Sequence, residues 1–132
     1  MSQENVDIFL AANHAYNAGD LDTVLTFYAA DIAWWDRKDD PGATVHRGHD
    51  GLREWLAELA EDIADLRVEV KEYIDDDDYV ICQVRVTGRG RTSDAFFEED
   101  EVHAVKVRDG KIIEVREYHD HTEALKAVGL EE

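Results

Sequence analysis

Three observations on the sequence predict an α+β fold, with helices first and a curved, mainly antiparallel sheet after them. Apolar residues recur at helical spacing as far as Asp65, the period changes to two from Leu66 onward, and no repeat or low-complexity linker divides the chain. Helices followed by a run of strands pack as a layer on one face of a sheet. The 132 residues fit a single domain, 1–132, long enough to bury its own core and too short for two ordinary ones.

The elements follow in order. Val6, Phe9, Leu10, Asn13, Tyr16 and Asn17 share one helical face, and Gly19 is the expected left-handed terminator. Asp20 caps a second short helix carrying Leu21, Val24, Leu25 and Tyr28. A short strand holds Ile32, Trp34 and Asp36 on one side, and the loop "RKDDPGATVHRG", with the chain's one proline, follows it. Asp50 is placed as the cap of a third helix, whose apolar stripe is Leu52, Trp55, Leu56, Leu59 and Ile63 and which ends near Asp65.

Alternating segments follow at 66–74, 79–87, 95–108 and 111–119, and the last three connect as a meander. Sorted by parity, Leu66, Val68, Val70 and Ile74 form one face, broken by Glu72. Val80, Cys82, Val84 and Val86 form the next. Val107 and Val105 lead to His103, and Ile113 and Val115 lead to Glu117 and His119. Titratable groups therefore interrupt apolar faces at strand ends.

Whether His103 and Glu117 share a face depends on the turn in "VRDGKI". A two-residue Asp109-Gly110 turn pairs Arg108 with Lys111 and sets Val105 against Glu114. A three-residue loop, with Gly110 left-handed in a bulge, pairs Val107 with Lys111, Val105 with Ile113 and His103 with Val115. The apolar pattern selects the second. His103 is then diagonal to Glu117, about 7 to 8 Å away. Downstream, Asp120 with Glu123 three positions on forms a capping box for a terminal helix over "EALKAV", ended by Gly129, with His121 exposed in its first turn. Arg116 and Tyr118 point to the outer sheet face.

Composition narrows the function classes. Asp+Glu 32 against Lys+Arg 14 gives a formal net charge of -18, which repels nucleic-acid phosphates and anionic lipid headgroups. Such a surface suits high salt or a basic partner. The acidic runs at 75–78 and 98–101 are candidate docking patches, set against a plain reading as a solvated turn and a solvated strand end. No basic start leads into a long apolar run and no stretch reaches the roughly 18 apolar residues of a membrane span, so a soluble, cytoplasmic protein is expected. Cys82 is the single cysteine, which excludes an internal disulfide and a Cys-based zinc site, and His14, His46 and His49 are too scattered to suggest a metal set.

The stretches "NAGDLDTVLTFYAADIAWWD", "VHRGHDGLREWL", "VTGRGR" and "VHAVKVRDGKIIEVREYHDHTEALKAVGL" resemble the SnoaL-like branch of the nuclear transport factor 2 superfamily. Its members include ketosteroid isomerase, limonene epoxide hydrolase and polyketide cyclases. The resemblance implies a cone-shaped α+β barrel, a strongly curved sheet wrapped over N-terminal helices with a short C-terminal helix, enclosing a pocket for a small hydrophobic molecule. It also implies a homodimer, for which the outer sheet face is the expected surface. Asp36 falls where the isomerase has its catalytic base and the hydrolase a water-holding asparagine. Trp34 falls at the hydrolase's water-holding tyrosine. Glu117 resembles an acidic catalytic position of the hydrolase and the cyclases, and His103 the assisting histidine of the cyclases, at the place of the isomerase's protonated aspartate. The departures are as plain: the isomerase's oxyanion-hole tyrosine aligns with Ala12, with Tyr16 one turn on, and the hydrolase's arginine and aspartate align with Val84 and Val86.

These groups suit acid/base chemistry. A carboxylate in an apolar cavity loses solvation and its pKa rises toward neutrality, where it becomes a competent base. A neighbouring imidazole can donate to the oxygen on which charge develops. Asp36 or Glu117 is the candidate base and His103 the acid or donor. Trp34, Tyr16 and Trp55 are candidate walls, and His119 a contact at the mouth. Such chemistry needs no metal or organic cofactor. The expected activity is that of an isomerase, cyclase or hydrolase acting on a small hydrophobic carbonyl or epoxide compound. The same residues also allow plainer readings: His103 as a core histidine held by Glu117, Asp36 as a loop start, Tyr16 and Trp55 as core, His119 as a solvated strand end. Two further functions therefore stand beside the enzyme, a ligand-binding protein without turnover and a dimeric interaction module.

Overall fold

The computed structural model describes residues 2–38, 40–75 and 79–128. The element order is α1 (Ser2–Asn17), α2 (Leu21–Thr26), β1 (Tyr28–Trp35), β2 (Val45–Arg47), α3 (Gly48–Asp62), β3 (Ile63–Asp75), β4 (Tyr79–Gly90), β5 (Phe96–Arg108), β6 (Lys111–Tyr118) and α4 (His121–Val128). The strands form one sheet in the order β2-β1-β6-β5-β4-β3. β1 runs parallel to β6, and every other neighbouring pair is antiparallel. The predicted α+β class holds, but the sheet curves without closing into a barrel, because β2 and β3 remain its edges.

Local chemistry explains most boundaries. Gly19 adopts φ 76 after α1, and the Asp20 carboxylate accepts from the Thr23 N–H at 3.2 Å to cap α2. Tyr28, expected on that helix, instead begins β1. α3 starts two residues before the expected cap: Gly48 opens it, and Arg47 stands at the N-cap with no side-chain bond. β2 pairs with β1 inside the segment read as a loop. Asn13 and Asn17, polar residues on the apolar face of α1, both donate to the Val68 carbonyl, at 2.9 and 2.7 Å, and Asn17 accepts the Val68 N–H. They fasten the helix to the sheet's edge strand. The capping box at α4 is present: Glu123 N–H donates to Asp120 at 2.9 Å, and the Glu123 carboxylate accepts the His119 N–H at 3.0 Å. Gly129 and residues 76–78 of the first acidic run lie outside the described residues.

The core lies between α1–α3 and the inner sheet face, where Val80, Cys82, Val84, Val105 and Val115 are fully buried, as the alternation on β4 and β5 requires. α4 crosses to the other face and covers Ile81, Val102 and Ala104 with Ala124, with Tyr118 packed alongside. Part of the outer face is therefore occupied by the chain itself. No helix among the described residues is long and apolar enough to cross a membrane.

The β5–β6 register corrects the expected turn. Asp109 and Gly110 have φ 53 and 76, a two-residue turn with both residues left-handed, and Arg108 pairs with Lys111. The conflict between Val105 and Glu114 is removed one step later. Val107 pairs with Ile112 and Lys106 with Glu114, so Ile113 is an extra residue bulged out of the ladder. Beyond it Val105 meets Val115, and His103 stands directly opposite Glu117 rather than diagonal to it. A second shift, between Val70 and Glu72, sets Tyr73 opposite Cys82 and moves Ile74 to the other face.

Candidate active site

The inner face and the helices enclose a cavity of about 360 Å³. Of the residues singled out in the sequence, Asp36, His103, Glu117, Trp34, Tyr16 and Trp55 all line it. His119 does not; it is exposed beyond the end of β6, with Nδ1 3.4 Å from Arg37 Nη1.

Glu117 sits on the cavity wall next to Trp34, because β1 and β6 pair Trp34 with Val115. The Trp34 indole N–H donates to Glu117 Oε2 at 2.6 Å. Burial dominates the electrostatics of this carboxyl and pushes its pKa from 4.5 to about 7, with the charges of Glu101 and Asp36 adding to the rise. The positive charge of His103 and the indole bond oppose it.

His103 is 5 % exposed, and its Nε2 lies 2.9 Å from Glu101 Oε1. Burial disfavours the imidazolium, but the bond to Glu101 and the charges of Glu117 and Glu101 outweigh it, so the pKa rises above 6.5. Glu101 is the converse case. Burial raises it, while the bond and charge of His103, with help from Glu99 and Arg37, hold it at about 2. The pair behaves as an imidazolium clamped to a carboxylate.

The acidic run on β5 is thus a solvated strand end on one face only, where Glu98 and Asp100 are exposed. The parity that places Val105 and His103 inward continues through Glu101, Glu99 and Phe97, and all three line the cavity. Glu99 hydrogen-bonds Glu101, which raises the Glu99 pKa, and accepts from Arg37 Nη2 at 2.8 Å. Arg37 Nε also donates to Asp40 at 3.1 Å, so this side chain ties the β1–β2 loop to β5. Asp36 is engaged differently. His46 Nε2 lies 3.1 Å from both of its oxygens, and the Thr44 N–H donates to Oδ2 at 3.2 Å. The His46 ring stacks on Trp55 at 4.3 Å. Trp55 in turn packs against Trp34 at 5.2 Å, and Trp34 meets the His103 ring edge-on at 5.6 Å.

Reasoning from sequence missed Glu101, Glu99, Arg37 and His46. The first two were within reach of the alternation; Arg37 and His46 lie on a loop and a three-residue strand too short for any period to register. Glu101, His103 and Glu117 each present one ligand atom within 4.8 Å of the others, a spacing that can hold a divalent cation as well as share protons.

Chemically, the arrangement joins a carboxyl that titrates near neutrality to a cationic donor, beside an aromatic wall. A family model described as a SnoaL-like domain matches residues 9–115. An NTF2-like protein from Burkholderia xenovorans LB400 is 33% identical, with 96% of each chain covered and a TM-score of 0.72. A candidate SnoaL-like polyketide cyclase from Jannaschia sp. CCS1 is 20% identical over 99% of this chain and 95% of that one, with a TM-score of 0.78. A candidate hydroxylase from Streptomyces galilaeus is 18% identical over 100% of this chain and 89% of that one, with a TM-score of 0.74. The search of curated proteins finds no match.

Proposed function

The chain belongs to the SnoaL-like domain family, and from that premise we propose that it is an acid/base enzyme for a small hydrophobic carbonyl compound, with Glu117 as base and His103 as hydrogen-bond donor. The observation that carries this reading is the environment of Glu117: a buried carboxyl at about 7, facing a cavity, across the strand pair from an imidazole. Of the two carboxylates considered, Asp36 already has both oxygens within reach of His46 and one on a backbone amide. It orients His46 beneath Trp55 and is a positioning residue.

The steps follow from the geometry. Trp34 anchors Oε2, which leaves Oε1 to take the proton from the carbon next to the carbonyl. The imidazolium of His103, with its Nε2–H held by Glu101, has its Nδ1–H left to donate to the oxygen as it becomes an enolate. In an enolate conjugated with an alkene, return of the proton from Glu117 to the far carbon completes an isomerisation; attack of the enolate on a second carbonyl, whose oxygen then takes the proton from Glu117, completes a cyclisation. The candidate cyclase among the structural relatives is consistent with the second outcome. With an epoxide, the same carboxylate would instead activate water.

The test is proton exchange in deuterated water, followed by NMR over a panel of small hydrophobic ketones. The wild type is expected to exchange protons next to the carbonyl. Glu117→Gln is expected to lose that activity by at least about a hundredfold, and Asp36→Asn by much less. Chelation should leave the rate unchanged; loss on chelation with recovery on adding a divalent cation would make the Glu101, His103 and Glu117 cluster a metal centre instead. Binding of the ketones without exchange would favour the ligand-binding reading. Equal rates in wild type and Glu117→Gln would remove the proposal.

A further inference from the structure

Tyr28 begins β1, where its backbone is fixed from two sides. The Ile112 N–H donates to the Phe27 carbonyl at 2.8 Å, and His49 Nε2 lies 2.9 Å from the Tyr28 carbonyl oxygen. The side chain is 8 % exposed, lines the cavity and lies parallel to Trp34, with ring centroids 6.3 Å apart. Tyr16 of α1 lines the same cavity and is near enough for its charge to bear on Tyr28.

Among the described residues, no group hydrogen-bonds to either hydroxyl, and yet no buried polar side-chain atom is sealed away without a partner. The Tyr28 hydroxyl therefore keeps some accessible surface, and the cavity is the space that Tyr28 lines. Burial pushes both phenols up, so each keeps its proton and is a donor at neutral pH. The helices contribute the apolar Phe9, Ala12, Val24 and Leu52 to the lining, together with Asn13, whose amide donates to the Val68 carbonyl.

The position is separate from the acid/base end. Tyr28 pairs with Ile112, Trp34 with Val115, and Glu117 lies two residues further along β6. The two positions are five residues apart along β6, one of them the bulged Ile113, and the Trp34 ring stands between them. The acid/base machinery occupies one end and an unused donor the other.

We infer that Tyr28, with Tyr16 near it, forms a second ligand subsite that takes a neutral acceptor oxygen, that of a ketone, ester or ether, at the end of the cavity remote from Glu117. An anionic oxygen is disfavoured there, because Asp36, Asp40, Glu99, Glu101 and Glu117 line the same cavity, Arg37 and His103 are already paired with members of that set, and neither phenol brings a positive charge. A hydrocarbon of the same shape would leave the donor unmatched. The preferred ligand is therefore an apolar body with an oxygen at each end, one placed for chemistry and one for orientation. This rests on the cavity being a ligand site, as in the proposed function, but not on Glu117 being a base.

The probes are 1-tetralone and tetralin, a bicyclic ketone and its parent hydrocarbon, with affinity read from tryptophan fluorescence. Wild type is expected to prefer the ketone by about tenfold, the worth of one hydrogen bond. Tyr28→Phe should reduce that preference severalfold, to what the His103 donor alone supports, while leaving tetralin affinity unchanged, which also reports an intact fold. Glu117→Gln should retain it, so that loss of proton exchange and loss of this subsite are separate results. A Tyr28→Phe protein that keeps the full wild-type preference for the ketone, or a wild type that binds both probes alike or neither, overturns the inference.

Discussion

Glu101 decides what His103 can do. A buried imidazole alone loses its proton and becomes a base; with a carboxylate at 2.9 Å it keeps the proton and becomes a donor. The proposed roles then fix the sign of the pH dependence. Glu117 must be ionised, so activity rises as pH climbs through about 7. His103 must be protonated, so activity falls once pH exceeds its raised pKa. Because the two groups interact, the limbs of this bell belong to the pair. Glu101→Gln should move both limbs to lower pH, since the Glu101 charge raises both groups. A variant that loses rate with unmoved limbs would assign Glu101 a structural role only. His103 and Glu117 were legible from the alternation because each interrupts an apolar face. Glu101 and Glu99 lie on the same alternation two and four residues away, and were obscured by the acidic run around them, whose outward members Glu98 and Asp100 do pair with Arg85 near the surface.

At the scale of elements, Ile113 connects turn chemistry to the site. The Asp109-Gly110 dipeptide dictates a two-residue turn, and that turn by itself would face Glu117 away from His103. One bulged residue reverses the parity. Deleting Ile113 should remove the bulge and leave His103 opposite Glu117, so that proton exchange and ligand-dependent shifts of His103 in NMR spectra survive, whereas inserting one residue between Val115 and Arg116 should turn Glu117 to the outer face and abolish both. A deletion variant that folds but loses the His103 response, or an insertion variant that folds and keeps it, would contradict this register. The sequence pattern showed that some bulge was required and placed it in the turn, because period-two alternation reports its parity on each side of a defect and not where the defect lies. The helix caps at Asp20 and Asp120 were legible for the opposite reason: a cap is a local contact within one turn of chain. The side of the sheet chosen by α4 depends on Ile81, Val102 and Ala104, residues brought to it only by the folded sheet.

Across the molecule, the change from helical to alternating period fixes the α+β class, while closure depends on long-range pairing that no local pattern encodes. The result is an open curved sheet whose interior gathers its charged groups at one end and is mainly apolar elsewhere. A carboxyl titrates near neutrality only where the whole enclosure, three helices and the inner sheet face, keeps water from it. Glu117 is therefore a gauge of the complete architecture. The most direct measurement is the pH titration of its side-chain carboxyl by carbon-13 NMR in the ligand-free protein. A midpoint near 7, shifting when a ketone ligand is added, is the predicted result. A midpoint at the ordinary value of 4.5, insensitive to ligand, would contradict the account of a buried base in a working cavity.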